Sequence, residues 1–472
     1  MLVATGGAAA KTLFELSGDY IGMVQLEGTG GPANLAVFTV DQSKPKRKRS
    51  VTRFIKRQGG LAGPKPMAVP QDAAAYDACR LRADEPTTLL YIRPDGIYKH
   101  GEKTALVKTE TLFPHVRDDA LPRVRLCMAL FPGEGPALAV PTLAGIALFR
   151  QEKPGAFTAH AQLRSEPDLR FQWPMLRGED LERTQRIALR LEYPDLTAID
   201  FNGDGKKDLC FNHSDNLTCY LQSSSGTFLS PPQRFDFDSL DESEAKDTSV
   251  RLQSRLVELS GDRRPDLVIT KANWNIAAMG TTLNLYVQNA AGGFPKSPTQ
   301  VIERKGYFAF QEYFDFDGDG LADIVAPVAA LGWTDLVGIY WSKSAAIEFI
   351  WYKNLGGRFA TESRSVHSFS FPVEFKNMAA ILGALPLWDV KLRPRMATGE
   401  RQIVFFPGKE AVELYTASET GTLAPTPLWQ QAAHIGSEIL ATDLDGDGLN
   451  ELVFAYPRDP ERADRLLFID SP

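Results

Sequence analysis

The most regular feature of the chain is a recurring alternation of short apolar stretches and polar turns. Three turns match closely: DFNGDGKKDLCF from Asp200, DFDGDGLADIVA from Asp315 and DLDGDGLNELVF from Asp443, with ELSGDRRPDLVI from Glu258 as a weaker copy. Each follows a β-prone stretch (LTAI, FQEYF, SEILAT) and precedes two more (LCFN…LTCYLQ, LVITKA…LNLYVQ, LVFAYP…RLLFID). Short runs of this kind, bounded by Asp and Gly, predict strands joined by tight turns.

The spacing extends the pattern. Positions 200, 258 and 315 are separated by 58 and 57 residues, and 315 to 443 is 128, two periods of 64. A degenerate copy is therefore expected between them, and VKLRPRMATGERQIVFF from Val390 has the strand–turn–strand shape without the acids. Upstream, VQLEGTGGPANLAVF from Val24 and LCMALFPGEGPALAV from Leu126 keep a Gly-rich turn, and RLRADEPTTLLYI from Arg80 keeps less. The copies start near 25, 80, 130, 200, 258, 315, 391 and 443, and eight of about 60 residues nearly fill the chain. One such unit cannot bury both faces of its sheet, so the units must pack on one another in a ring. The expectation is an all-β fold, a β-propeller spanning 1–472 as a single domain, with eight blades favoured and seven as the alternative. The last copy ends at Asp470, one strand short, and KTLFELS near the start can supply that strand and close the circle. Insertions are expected near 151–190, where GEDLERTQR reads as a short helix, and near 354–388.

Composition narrows the function. The chain has 472 residues, 43% of them hydrophobic and 24% charged, with a net charge of −7. This is globular, and it argues against a general nucleic-acid binder. The basic run KPKRKRSVTRFIKRQ, Lys44 to Gln58, reads as a hairpin with a solvated basic tip rather than a nuclear signal or nucleic-acid patch. The apolar window from Met128 to Phe149 holds three prolines, three glycines and Glu134, which predicts two strands and turns and no transmembrane helix. The start lacks a basic region followed by a long apolar stretch, so either the protein is not secreted or this is a mature segment with an added methionine. The four cysteines contain no C-x-x-C pair; Cys210 and Cys219 flank a turn and are read either as a bridge or as two buried thiols.

The acidic turns carry the chemistry. Calcium takes six to eight oxygen ligands, and a nine-residue loop with acids at positions 1, 3, 5 and 9, a backbone carbonyl at 7 and glycines at 4 and 6 supplies them. The first set is Asp200, Asn202, Asp204, Lys206 (carbonyl) and Asp208; the second is Asp315, Asp317, Asp319, Leu321 (carbonyl) and Asp323. The third is Asp443, Asp445, Asp447, Leu449 (carbonyl) and Glu451. A fourth loop offers Glu258, Asp262 and Asp266 but has Ser260 at position 3 and Arg263 in place of a glycine, so it is the doubtful one. An EF-hand would need Glu at position 12, where Phe211, Ala326 and Phe454 stand.

These loops resemble those of the FG-GAP/VCBS repeat family, which includes the integrin α-subunit propellers. The resemblance implies a β-propeller with calcium in its inter-strand loops, extracellular, periplasmic or cell-surface placement, and a role in adhesion or assembly. The acid-free copies depart from the family pattern and are not expected to bind metal.

Catalytic motifs are not visible. His100, His115, His160, His213, His367 and His434 are scattered without metal-ligand spacing. The expectation is a non-catalytic protein-interaction module. The alternatives are a propeller lyase or hydrolase, whose site at the channel need leave no linear motif, and a carbohydrate-binding module. Trp173 and Trp333 are the surface anchors expected for a partner, while Trp341 and Trp351 read as blade core.

Overall fold

The computed structural model describes residues 11–27, 33–43, 47–57, 60–63, 65–113, 119–153, 155–165, 168–172, 188–247, 249–275, 278–308, 311–331, 333–372, 392–397, 400–405, 411–416, 423–433, 438–445, 450–457 and 459–470. Among these residues, eight sheets carry four or five strands each, and one more has two. They are numbered here as sheets 1 to 8 in chain order, and they correspond one to one with the eight copies in the sequence. Sheet 4 is representative: Asp195–Ile199, Asp208–Asn212, Asn216–Tyr220 and Gln233–Asp236 follow one another as an antiparallel meander. Sheets 5 and 8 have second strands Asp266–Asn273 and Glu451–Ala455; in sheet 6 two short strands, Tyr307–Phe308 and Glu312–Phe314, together take the first place beside Asp323–Ala329, which takes the second.

The second strand of each unit reads as an unbroken apolar run because both its faces are covered. In sheet 4, Leu209 and Phe211 pack towards Ala139 and Leu148 of sheet 3. Cys210, between them, faces Leu267 and Ile269 of sheet 5. Successive side chains on a strand point to opposite faces, so each sheet is gripped from both sides. The same pairing recurs between sheets 5 and 6 (Val268 with Ile324), 7 and 8 (Leu414 with Phe454), 1 and 2 (Phe38 with Tyr91) and 2 and 3 (Ile92 with Val140). Tyr415 of sheet 7 packs into the core of sheet 6, and Val453 and Phe468 of sheet 8 meet Leu35 and Val37 of sheet 1. The chain of cores therefore closes on itself as a β-propeller.

Closure is also made by backbone hydrogen bonding between the two ends of the described chain, as anticipated. The strand Lys11–Glu15 pairs antiparallel with Arg465–Ile469, from Lys11 opposite Ile469 to Glu15 opposite Arg465, and completes sheet 8. The first and last segments of the chain thus share one sheet.

Several details sharpen or correct the sequence reading. Residues 151–153 and 156–163 belong to the later strands of sheet 3, and 364–372 form the last strand of sheet 6, so these parts of the expected insertions are blade. The first added segment contributes a two-stranded hairpin, Asp168–Gln172 with Ala188–Glu192. GEDLERTQR and Trp173 lie outside the described residues, as do 373–391. Sheet 6 carries a helix, Trp333–Ser342, between its second and third strands. Trp351 is buried, but Trp341 on that helix is 79% exposed, so only one of these two tryptophans belongs to the core. The helix turns its Leu336 and Ile339 inward, and Trp341 falls on the opposite side.

The basic run forms part of a hairpin, with Asp41 opposite Lys48, but it is not uniformly solvated. Arg49 is 2% exposed and donates to the carbonyls of Pro70 (3.1 Å), Gln71 (2.8 Å) and Ala120 (3.3 Å). The window from Met128 contains the strands Ala137–Thr142 and Gly145–Lys153. No helix among the described residues is long and apolar enough to cross a membrane.

All four cysteines are paired. Cys210 and Cys219 stand directly opposite one another on neighbouring strands of sheet 4 and form a disulfide. Cys79 and Cys127, 48 residues apart, form a second, which ties sheet 2 to sheet 3. The second bond was not legible in sequence, because it depends on the lateral contact of two blades.

Candidate functional site

The four acidic loops occupy equivalent places. Each joins the first and second strands of its sheet, in sheets 4, 5, 6 and 8. In a meander these turns lie at the same end as the turns between the third and fourth strands. Successive loops are also neighbours: Gly203 lies beside Arg264, and Gly261 beside Leu321. The glycines at positions 4 and 6 adopt positive φ, 77° and 84° at Gly203 and Gly205, 83° and 88° at Gly318 and Gly320. In the loop of sheet 5 the second of these positions is Arg263, at φ 68°, a conformation that costs about 1–2 kcal/mol for a residue with a Cβ.

The acid at position 9 has its own task. Asp208, Asp266, Asp323 and Glu451 are all 0% exposed. One carboxylate oxygen accepts from the backbone N–H of loop position 2: Phe201 (2.9 Å), Leu259 (2.9 Å), Phe316 (3.1 Å) and Leu444 (2.7 Å). In sheets 4, 5 and 6 the other oxygen accepts from the residue just beyond the third strand: Gln222 (2.7 Å), Gln288 (2.9 Å) and Asn354 (2.6 Å). The side chain therefore clasps the acidic loop to the neighbouring turn. Burial raises all four acids above the ordinary carboxylate range, Asp323 to about 6, even though the N–H donors favour the charged form.

Positions 1, 3 and 5 hold the turn by accepting backbone N–H groups of the loop, and Asp315 uses both of its oxygens to do so. Asp200 accepts from Gly205 N–H (2.9 Å), Asn202 from Asp204 N–H (3.0 Å) and Asp204 from Lys206 N–H (2.9 Å). Asp315 accepts from the N–H groups of Gly318 and Gly320 (3.0 Å to the latter), Asp317 from Asp319 (3.3 Å) and Asp319 from Leu321 (3.0 Å). Such local bonds are the reason Asp and Asn are favoured in turns. Carboxylate oxygens of Asp315, Asp317 and Asp323 lie within 4.8 Å of one another, and so do those of Asp443, Asp445 and Glu451. Asp200, Asp204 and Asp208 converge less closely, yet Asp200 Oδ1 is buried without a hydrogen-bond partner. Asp447 and Leu449 lie outside the described residues.

A basic side chain accompanies every one of these loops, which the sequence pattern did not reveal. Lys206 Nζ lies 2.8 Å from Asp204 Oδ2 and holds that carboxyl below its ordinary range. Arg264 pairs with Asp262 in sheet 5 (2.5 Å). Lys353 contacts Asp317 and lies 2.7 Å from Asp319, and these carboxylates raise its pKa. Lys56, from sheet 1, reaches Asp445 (2.6 Å), Glu451 (3.0 Å) and Asp470 (2.6 Å).

The donor set suits a hard cation in three loops. The loops of sheets 6 and 8 each bring three carboxylates together, and in sheet 4 Asp200 Oδ1 is a buried acceptor that lacks a donor. When bound, such an ion would supply further positive charge to these clustered acids. Asp200, Asn202, Asp204 and Asp208 would hold it in sheet 4, Asp315, Asp317, Asp319 and Asp323 in sheet 6, and Asp443, Asp445 and Glu451 in sheet 8. The sheet 5 loop fits poorly, because Ser260 replaces an acid and Glu258, Asp262 and Asp266 are not among the acids that converge.

Sequence reasoning also missed the partners of the clasp. Gln222, Gln288 and Asn354 each precede a glycine turn that ends in Phe228, Phe294 or Phe359, in LQSSSGTF, VQNAAGGF and KNLGGRF. Asn354 Nδ2 donates to the carbonyl of Leu259 in the preceding blade (2.8 Å) and to that of Ala322 (2.9 Å). This second repeat shares the period of the first, and that period was its available signal.

The opposite face is less regular. Beside the turn between the second and third strands of sheet 4 lies a cavity of about 1180 Å³, lined by Arg164, Tyr193, His213, Asn216, Arg234 and Ser254 among others. Trp333 begins the helix at the corresponding place in sheet 6. Of the described histidines, His100 bonds Tyr91 (3.0 Å), His160 the Gly226 carbonyl (3.0 Å) and His367 Tyr415 (3.4 Å).

No family model matches the chain, and no curated protein does. Among solved structures, an Agrocybe aegerita lectin recognising non-reducing terminal N-acetylglucosamine aligns at 12% identity with a TM-score of 0.44, covering 99% of this chain and 96% of the lectin. The β-propeller domain of Vanderwaltozyma polyspora Nup133 aligns at 10% identity with a TM-score of 0.38, covering 88% and 98%. A putative 6-phosphogluconolactonase from Bacteroides uniformis aligns at 12% identity with a TM-score of 0.33, covering 88% and 99%.

Proposed function

We propose that this chain is a calcium-stabilised propeller that serves as a non-catalytic protein-interaction module. The observation that carries the calcium is the convergence of Asp315, Asp317 and Asp323 in a glycine-shaped loop. The reading places the ions as structural pins, since each sits in a turn of a rigid ring and not on a mobile element. At the ~0.1–1 mM affinity of extracellular modules, millimolar calcium adds about 0.4–1.4 kcal/mol per site. The two disulfides favour an oxidising compartment, which agrees with an extracellular, periplasmic or cell-surface location.

The partner is placed on the face away from the acidic loops, where Trp341 is exposed and where the connections are longest. Calcium is tested by elemental analysis of the purified protein together with melting scans with and without chelator. Bound calcium and a chelator-sensitive melting temperature are expected; absence of both would remove the calcium from this reading. The interaction surface is tested by capture of partners on the immobilised protein, with Trp341→Ser expected to weaken capture. Undiminished capture by that variant would move the partner elsewhere.

A further inference from the structure

We propose that Lys353 and Lys56 are resident counter-ions of two acidic loops, competing with a divalent cation there and holding those loops formed when the cation is absent. The inference rests on the calcium reading for its competitive half only. Residues 353 and 470 occupy the same topological place: Tyr352 pairs with Ile324 and Ile469 with Leu452, so Lys353 and Asp470 stand next to Asp323 and Glu451 respectively. In sheet 6 that place holds the cation, and Lys353 bridges Asp317 and Asp319, ligand positions 3 and 5. In sheet 8 the place holds an acid, and the cation comes from another blade. Lys56, on the strand Lys48–Arg57 of sheet 1, bridges ligand positions 3 and 9 and also Asp470.

Geometry makes the two cations rivals. A calcium ion must approach its carboxylate oxygens to about 2.3–2.6 Å. Lys353 Nζ already lies 2.7 Å from Asp319 Oδ2, and Lys56 Nζ 2.6 Å from Asp445 Oδ2. An ammonium and a divalent ion sharing those oxygens would repel at short range. Entry of the metal therefore displaces the lysine. Asp470 lies outside the nine-residue loop, so Lys56 keeps one carboxylate after displacement, and the contact between the first and last blades survives. The side chain of Lys56 is only 8% exposed, which makes it a fixture of the ring closure and not a surface ion pair. The loop of sheet 4 differs. Its lysine, Lys206, belongs to the loop itself and pairs with Asp204 alone, while Asp200 Oδ1 has no partner.

The expected order of affinity is the sheet 4 loop first, and the loops of sheets 6 and 8 behind it. Calorimetric titration of the metal-free full chain with calcium should show one tighter and two weaker sites. Lys353→Met and Lys56→Met should each strengthen one weak site by about tenfold, the effect of removing roughly 1.4 kcal/mol of competition. In chelator the same variants should melt lower than the parent, and Lys353→Arg and Lys56→Arg should melt near it. Equal sites in the parent, unchanged by either methionine variant, would overturn the competition and leave the calcium reading standing. No calcium at any site in parent or variants would overturn both the calcium reading and the competition. Melting in chelator unaffected by Lys→Met would overturn the counter-ion role itself, whatever calcium does.

Discussion

The loops at 258–266 and 315–323 occupy the same place in adjacent blades, yet they keep different parts of one motif. Both bury an acid at position 9 and use it to clasp position 2 to the end of the third strand. Only the second brings three acids together. In the first, Arg264 stands over Asp262 and Ser260 replaces the acid at position 3. The difference teaches that D-x-D-x-D-G-x-x-D is two devices written over one another. Positions 2 and 9 form a backbone clasp that every blade of this kind needs. Positions 1, 3 and 5 form a cation cage that a blade can lose while keeping its fold.

The strongest way to break that division is to remove the clasp where no cage remains. Asp266→Ala leaves the buried N–H groups of Leu259, Ser260 and Gln288 without their acceptor. Bonds to a charged group are worth about 1.5–3 kcal/mol each, and losses within one network do not add fully. A loss of about 3–5 kcal/mol is expected, the same in chelator and in calcium. Asp323→Ala should lose a similar amount in chelator and more in calcium. Asp262→Ala should cost less than about 1 kcal/mol, since it removes a partly exposed ion pair. Urea denaturation of the three variants makes the comparison. A cost at Asp262 equal to that at Asp266 would mean that the motif cannot be divided.

A second contrast lies in the partners of the clasp. Asn354 is fully buried; its amide donates to the carbonyls of Leu259 and Ala322, and its oxygen accepts from Gly356 and Gly357. Gln288, its counterpart one blade earlier, is 3% exposed, and neither amide atom has a hydrogen-bond partner. Asn354→Ala is expected to cost about 2–3 kcal/mol, because it strands buried backbone groups of two blades. Gln288→Met keeps the volume and removes two unsatisfied polar atoms, so its stability should match or exceed the parent's. Chemical denaturation again reports both. A large loss at Gln288 would show that its amide is satisfied in solution.

These contrasts also explain what was legible in the sequence. The apolar runs and the period of about 60 residues come from strands buried on both faces, and a repeated burial leaves a repeated pattern. Closure by Lys11–Glu15 was readable because the last copy lacked a strand. Cage residues were readable because their spacing lies within one loop. Lys56 was not, because its partners are brought to it by the closure of the ring, from 395 positions away in the case of Glu451. The Cys79–Cys127 bond was hidden for the same reason, across two blades. Trp341 was misread because a tryptophan in an apolar stretch suits either a core or an exposed helix face. Only the register of the helix, which buries Leu336 and Ile339, decides between them.

The smallest expected effect is that of calcium itself, and it separates the two loops most directly. A bound cation replaces the lysine partners of the clustered carboxylates without creating the fold, which the clasps and inter-blade cores already hold. Stabilisation of about 0.4–1.4 kcal/mol per site is expected at millimolar calcium. For a ring with this large a core it should appear as a small upward shift in melting temperature. Asp317→Asn should remove part of that shift, since Asp317 is one of the three convergent acids of sheet 6. Asp262→Asn should leave it whole, since Asp262 is not among the convergent acids and Ser260 leaves its loop short of one. Calorimetric scans of the parent and the two variants, each with calcium and with chelator, measure the increments directly. Equal loss of the calcium increment in both variants would place a cation in the sheet 5 loop, and the distinction between clasp and cage would then rest on the first comparison alone.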